Sequence, residues 1–273
     1  MILDIVPGDI ISPFQTGNAM QIIFMAICVG MGGLILRDSM TETVMIANQI
    51  NSLVQLLMEW ISKILPLYVF LSLANLIISS NLQEIARIML PFVLIVAACL
   101  VVPVLYGLYT SLKVGMPFKE LVRSQLPSYL VALTTASSAA AFSSNVECCE
   151  KKLHIDPKLV RFGIPFGQVL FMPDSVFLFM ILSLFMAKQY GVPMTPAWFV
   201  SLIVVTAVLA AATPPIPGGT LTSAVFLFTQ LGIPASAVAL CAAVMTFSDY
   251  VGTACNIACL QQELLLTAKK LEL

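Results

Sequence analysis

Sixty consecutive residues, from Gln189 to Ser248, contain no Asp, Glu, Lys or Arg. A water-soluble domain usually carries about 25% charged residues, and a run of this length leaves it no surface. Charge-free runs also span Ile64 to Gln83, Ile88 to Leu112 and Ser124 to Val146. Each is long enough to cross a hydrocarbon core, which takes roughly 20 helical residues. With 59% of the chain hydrophobic and only 10% charged, the reading is an all-α polytopic membrane protein.

Several function classes drop out early. A net charge of -1 and the lack of a basic, aromatic-interleaved patch give no footing for nucleic acid. Five of the seven cysteines lie in apolar runs and none forms a Cys-x-x-Cys pair near histidines, so they read as small packing residues rather than as disulfides or metal ligands. The single His154 sits among Lys151, Lys152, Asp156 and Lys158, a solvated loop rather than a ligand set. The N-terminal Met-Ile-Leu-Asp-Ile-Val-Pro lacks the basic start and cleavage site of a signal peptide and reads as the middle of something.

The pattern predicts helices over about 19–36 and 43–78, and a third after Leu82 that runs towards Leu112 and is interrupted or bent at Pro91 and Pro103. The segment 117–161 differs, because small hydroxyl residues from Thr134 to Asn145 split its apolar middle. Such residues weaken a helix and suit backbone that faces a cavity. Its flanks hold Lys113, Lys119 and Arg123 on one side and Lys151, Lys152, Lys158 and Arg161 on the other. The positive-inside rule puts both flanks in the cytoplasm, so the segment is expected to turn back inside the membrane as a re-entrant helical hairpin.

An outward span over 162–190 is then broken at Phe171-Met172-Pro173-Asp174-Ser175. Three prolines and two glycines between Pro214 and Thr220 cannot continue a helix, which predicts a second hairpin over 195–234, entering from outside. A last span over 235–270 ends at Lys269 and Lys270 and puts the C-terminus in the cytoplasm. Two halves, each a broken hairpin followed by a span, have the form of an inverted repeat, in which ligand sites form where interrupted helices meet.

Asp249 carries the most chemistry, since an ionisable group in an apolar span is costly and normally faces a cavity or a partner. Asp249, Gly252, Thr253 and Asn256 fall on one helix face, a carboxylate, a hydroxyl and an amide around a gap left by Gly252. The plainer alternative is a packing stripe held by polar residues. Asp174 follows a proline beside freed carbonyls, which suits either a cation site or a cap on the second half of a broken helix. Helix N-termini at the two hairpin breaks favour an anion such as a substrate carboxylate.

These features resemble the dicarboxylate/amino-acid:cation symporter family, the glutamate-transporter homologues. The resemblance rests on Leu3 to Pro7 with Ile22 to Ile27, the Ser tip followed by Glu147-Cys148-Cys149-Glu150, the break from Gly167 to Ser175, Tyr190-Gly191-Val192, Ile216 to Gly219, and Asp249 to Asn256, in family order. It implies a glutamate-transporter-like, elevator-type fold, with scaffold spans in 1–83 and a transport domain in 84–273 that moves against a trimeric scaffold. Carried over, the substrate set is Ser137, Ser138 and Ala139 from the first tip, Ser175 from the break, Pro215, Ile216, Pro217, Gly218 and Gly219 from the gating tip, and Asp249, Thr253 and Asn256. The implied cation set is Gly167, Asp174, Thr213 and Asn256, with Na⁺ as the coupling ion and H⁺ as the alternative.

The departures matter. The family's Asn-Met-Asp-Gly-Thr reads Phe171-Met172-Pro173-Asp174-Ser175, the arginine that holds an acidic side chain is Gly252, and a second sodium-binding aspartate is Leu260. The expected substrate is therefore an amino acid or related small carboxylate, neutral rather than acidic. It is carried across the plasma membrane without a cofactor or enzymatic chemistry. The family's first three spans are missing, so a homotrimer, a partner chain supplying those spans, or a non-transporting binding or regulatory subunit is expected. An intramembrane aspartyl protease using Asp174 and Asp249 is disfavoured, because neither sits in a Tyr-Asp or Gly-x-Gly-Asp context.

Overall fold

Backbone that enters hydrocarbon must satisfy its own hydrogen bonds, and a chain this apolar meets that demand with helices. The computed structural model of the chain describes residues 6–16, 19–50, 52, 53, 56, 60, 67, 70, 71, 82–213 and 219–271, and no strand occurs among them. The chain divides into two units, Met1–Lys63 and Ile64–Leu273.

In the first unit, the Asp9 carboxylate accepts from the amides of Ile11 (2.8 Å) and Ser12 (2.6 Å) and so opens a short helix, α1 (Ser12–Thr16). Helix α2 (Ala19–Leu36) follows, with the bounds the sequence suggests, then a 3₁₀ turn at Arg37–Met40 and helical residues 41–50 (α3). Most of the predicted helix beyond residue 50 lies outside the described residues.

The second unit begins with α4 (Leu82–Val114), which runs unbroken through Pro91 and Pro103 and rises about 50 Å. Next come α5 (Phe118–Thr135) and the short α6 (Phe142–Glu147), which widens into a turn of π-helix at Cys148–Lys152. Ala136 ends α5 in the left-handed conformation, at φ 49°. The two arms pack on each other, and the Cys148 thiol donates to the Ser124 carbonyl at 3.1 Å at their open end.

Helix α7 starts at Pro157, with Asp156 accepting from the Lys158 amide at 2.7 Å, and ends at Leu170. Helix α8 (Pro173–Gln189) starts anew. The break follows from Pro173, which has no N–H for the helix and pushes the residue before it out of the α region; Phe171 and Met172 have ψ 82° and 73°.

Helices α9 (Pro196–Ala212) and α10 (Gly219–Gln230) form a second pair. It is tied at one end by the Trp198 indole N–H on the Leu231 carbonyl (3.0 Å) and at the other by the Thr213 hydroxyl on Ser223 Oγ (2.9 Å). Helix α11 (Ser236–Leu271) contacts α4, α5, α7, α8 and α10 and is mostly buried. Three stretches among the described residues are long and apolar enough to cross a membrane: Ile88–Val114, Pro157–Gln189 taken across its break, and Ser236–Leu271. Leu105 and Leu112 on α4 are 60% and 84% exposed, as lipid-facing residues should be.

Two devices hold α11 in place. Gly163 and Gly167, one turn apart on α7, receive Leu264 and Leu260; a Cβ on Gly163 would stand 2.3 Å from Leu264 Cδ2, and one on Gly167 2.2 Å from Leu260 Cδ1. The second is a buried polar layer. Gln125 Nε2 donates to the Ala258 carbonyl (3.0 Å), Gln261 Nε2 to Ser128 Oγ (2.7 Å) and Asn145 Oδ1 (2.8 Å), and Gln262 Nε2 to the Pro103 carbonyl (3.1 Å). Side-chain amides crossing between apolar helices act as orienting contacts worth roughly 0.6–2 kcal/mol each.

Candidate functional site

Three helix interruptions and one continuous helix, α11, converge on one small cavity. It is lined by Ala136 and Ser138 from the turn after α5, Met172, Asp174 and Ser175 from the α7/α8 break, Thr213 and Thr220 from the two sides of the α9/α10 break, and Asp249, Thr253 and Asn256 from α11. Its volume is about 30 Å³, room for one or two waters at about 10–15 Å³ each.

The chemistry is concentrated where α8 meets α11. As the first turn of α8 begins, its amides have no partner within the helix, and Asn256 meets one of them by accepting from the Asp174 amide through Oδ1 at 3.1 Å. Asn256 Nδ2 in turn donates to Asp174 Oδ1 at 2.5 Å, and Ser175 Oγ donates to the same oxygen at 3.2 Å. Asp174 is buried, as are Ser175, Asp249 and Asn256. The other carboxylate oxygen lies over Gly252: a Cβ there would stand 2.3 Å from Asp174 Oδ2. The gap that the sequence suggests beside Asp249 is thus filled by Asp174. Thr220, on the first turn of α10, donates to Asp249 at 3.2 Å. Gln168 on α7 ties the first turn down by donating to the Ser138 carbonyl at 3.1 Å.

Of the residues singled out from sequence, Ser138, Asp174, Ser175, Thr213, Asp249, Thr253 and Asn256 line this cavity, whereas Ser137, Ala139 and Gly167 do not. Gly167 faces Leu260 instead. Pro215, Ile216, Pro217 and Gly218 lie outside the described residues, and Gly219 is the first residue of α10. Sequence reasoning missed Ala136, Met172 and Thr220; of these Thr220 carried a signal, as the first hydroxyl after the Pro/Gly break. Carboxylate, amide and hydroxyl oxygens from Asp174, Asn256, Ser175 and Thr213 are donors suited to a hard cation. Among the described residues no cluster of His, Cys, Asp and Glu could hold a metal such as zinc. A larger hollow of about 270 Å³ between α4, α5 and α11 is lined mostly by apolar residues.

Helices of membrane-crossing length around a polar cavity assembled from broken helices define a helical membrane protein of the transporter kind. The chain matches the sodium:dicarboxylate symporter family over residues 1–259 and belongs to that family, which is one of transporters and not of enzymes. Among its relatives, human excitatory amino acid transporter 2 is 26% identical over 130 residues, 48% of this chain and 23% of that one. Mouse excitatory amino acid transporter 2 is 24% identical over 225 residues, 80% and 38% of the two chains. Human neutral amino acid transporter A is 21% identical over 248 residues, 88% and 46%. The chain spans about half the length, or less, of these curated relatives.

Proposed function

We propose that this chain binds an amino acid in the cavity between the two helical breaks, α8 and α11, and carries it across the membrane by cation-coupled symport. The observation that carries the reading is the meeting of three helix interruptions on Asp249, Thr253 and Asn256 of α11. In this reading Asp249 pairs with the substrate ammonium, Thr253 and Asn256 hold the ammonium and the α-carboxylate, and amides of the two breaks favour the carboxylate. The coupling ion is Na⁺ or H⁺, with Asp174, Thr213 and Asn256 offering oxygens. Relatives include transporters named both excitatory and neutral. Gly252 supplies no cation for a side-chain carboxylate, which favours neutral over acidic substrates. An amino acid exceeds 30 Å³, so a wall must withdraw to admit one.

Uptake of a panel of neutral and acidic amino acids into proteoliposomes, with and without Na⁺ and a proton gradient, tests this. Asp249→Asn should weaken substrate binding by roughly two to three orders of magnitude, because a buried ion pair that loses one partner costs about 3–5 kcal/mol and each tenfold is about 1.4 kcal/mol. Parent-like binding by that variant would sink the site. Binding without uptake would instead make the chain a binding subunit.

A further inference from the structure

The cavity lining contains two carboxylates, Asp174 and Asp249, and no Lys, Arg or His. The stretches that build the site, 124–150, 162–187 and 189–268, contain no basic residue at all. The partners of the Asp174 side chain, Asn256 and Ser175, are both neutral. Burying an ionised carboxylate is costly unless an opposite charge joins it or it takes up a proton, so a cationic group brought in beside Asp174 is favoured there.

Geometry says where that charge would stand. Asp174 Oδ2 occupies the niche over Gly252, three residues beyond Asp249 on the same face of α11, and side chains so spaced are roughly 5–6 Å apart at Cβ. A ligand with its α-ammonium at Asp249 and its side chain laid along α11 would bring its first side-chain carbons to Asp174. A neutral zwitterion brings equal and opposite charges and leaves the negative charge of the site unchanged. A side-chain ammonium cancels one carboxylate, and a side-chain carboxylate adds a third.

We infer that Asp174 is a specificity-determining residue, and that the site prefers an α-amino acid with a short cationic side chain, a diamino acid, over its uncharged isostere and over acidic amino acids. This rests on the substrate site proposed above and adds to it the charge of the side chain.

The experiment is equilibrium binding to the purified full chain in nanodiscs at fixed, saturating Na⁺, with L-2,4-diaminobutyrate, its near-isostere L-norvaline, and L-aspartate as probes. The parent should bind diaminobutyrate at least about tenfold more tightly than norvaline, with aspartate weakest, since two charges a few ångströms apart at a screened protein site interact by more than this ratio requires. Asp174→Asn should bring diaminobutyrate and norvaline to within about threefold of each other, whatever the change in their common affinity. Equal or tighter binding of norvaline by the parent overturns the inference and leaves the proposed site standing, as does a preference that survives in Asp174→Asn. The parent ranking needs no variant, so a misfolded mutant does not protect the idea. Failure of all three probes to bind overturns the inference and the proposed function together.

Discussion

Replacing Gly252 by Ala tests the contact between α8 and α11 without touching a polar group. The new Cβ would stand 2.3 Å from Asp174 Oδ2 and 3.0 Å from both its Cβ and Cγ, so the whole carboxyl group must rotate away rather than merely tilt. It then loses the bond from Asn256 Nδ2, and a hydrogen bond to a charged group contributes about 1.5–3 kcal/mol. Against this, Ala in a helix interior is better than Gly by about 0.8–1.0 kcal/mol. The net expectation is a loss of roughly 0.5–2 kcal/mol. The sharper number is the coupling. With Asp174→Ala in place the carboxylate is gone and only the Cβ contact at 3.0 Å remains, so Gly252→Ala should cost less than in the parent, giving an interaction of up to about 1.5–3 kcal/mol between the two sites. Unfolding in mixed detergent micelles, followed by Trp198 fluorescence in a Trp60→Phe background, measures all four corners of the cycle. If the two substitutions add to within about 0.5 kcal/mol, Asp174 does not occupy the Gly252 niche.

Gly167→Ala should destabilise by about 1–3 kcal/mol through overpacking, and Leu260→Ala in the same chain should recover part of that, both read by the same unfolding assay. Gln261→Leu removes the donor to Ser128 and Asn145 and leaves the Asn145 oxygen buried, which should cost about 1–3 kcal/mol. A milder effect than Asn145→Ala would show that Gln261 is not the centre of that layer. In a background with the seven cysteines replaced, a thiol at Lys152 should react with an impermeant label only from the cytoplasm and one at Pro193 only from outside; the reverse pattern would invert the proposed topology.

The helical class, the three interruptions and the cavity-lining position of Asp249 were legible in the sequence because each is written locally. Charge-free runs of twenty or more residues, Pro173, the Pro214 to Gly219 stretch and an aspartate in an apolar span all carry their physical consequence within a few residues. The bounds of α2 follow in the same way, from an apolar run that ends at Arg37. Less legible was the start of α7, placed by Asp156 and Pro157 several residues before the basic flank ends.

Partnerships between distant segments were decided only by the fold. Gly252 read as open space because a glycine advertises missing volume but not its occupant, and the occupant, Asp174, comes from 78 positions earlier. Gly167 read as a ligand by resemblance, and only the fold shows that its Cα face also forms the notch for Leu260. Gln125, Ser128, Asn145, Gln261 and Gln262 looked like scattered polar residues, since their meaning lies in hydrogen bonds that span more than a hundred residues. Periodicity shows which face of a helix is special. What meets that face depends on how helices stack, and in a membrane, where every side chain outside the core is apolar too, local hydrophobicity does not tell the partner from the lipid.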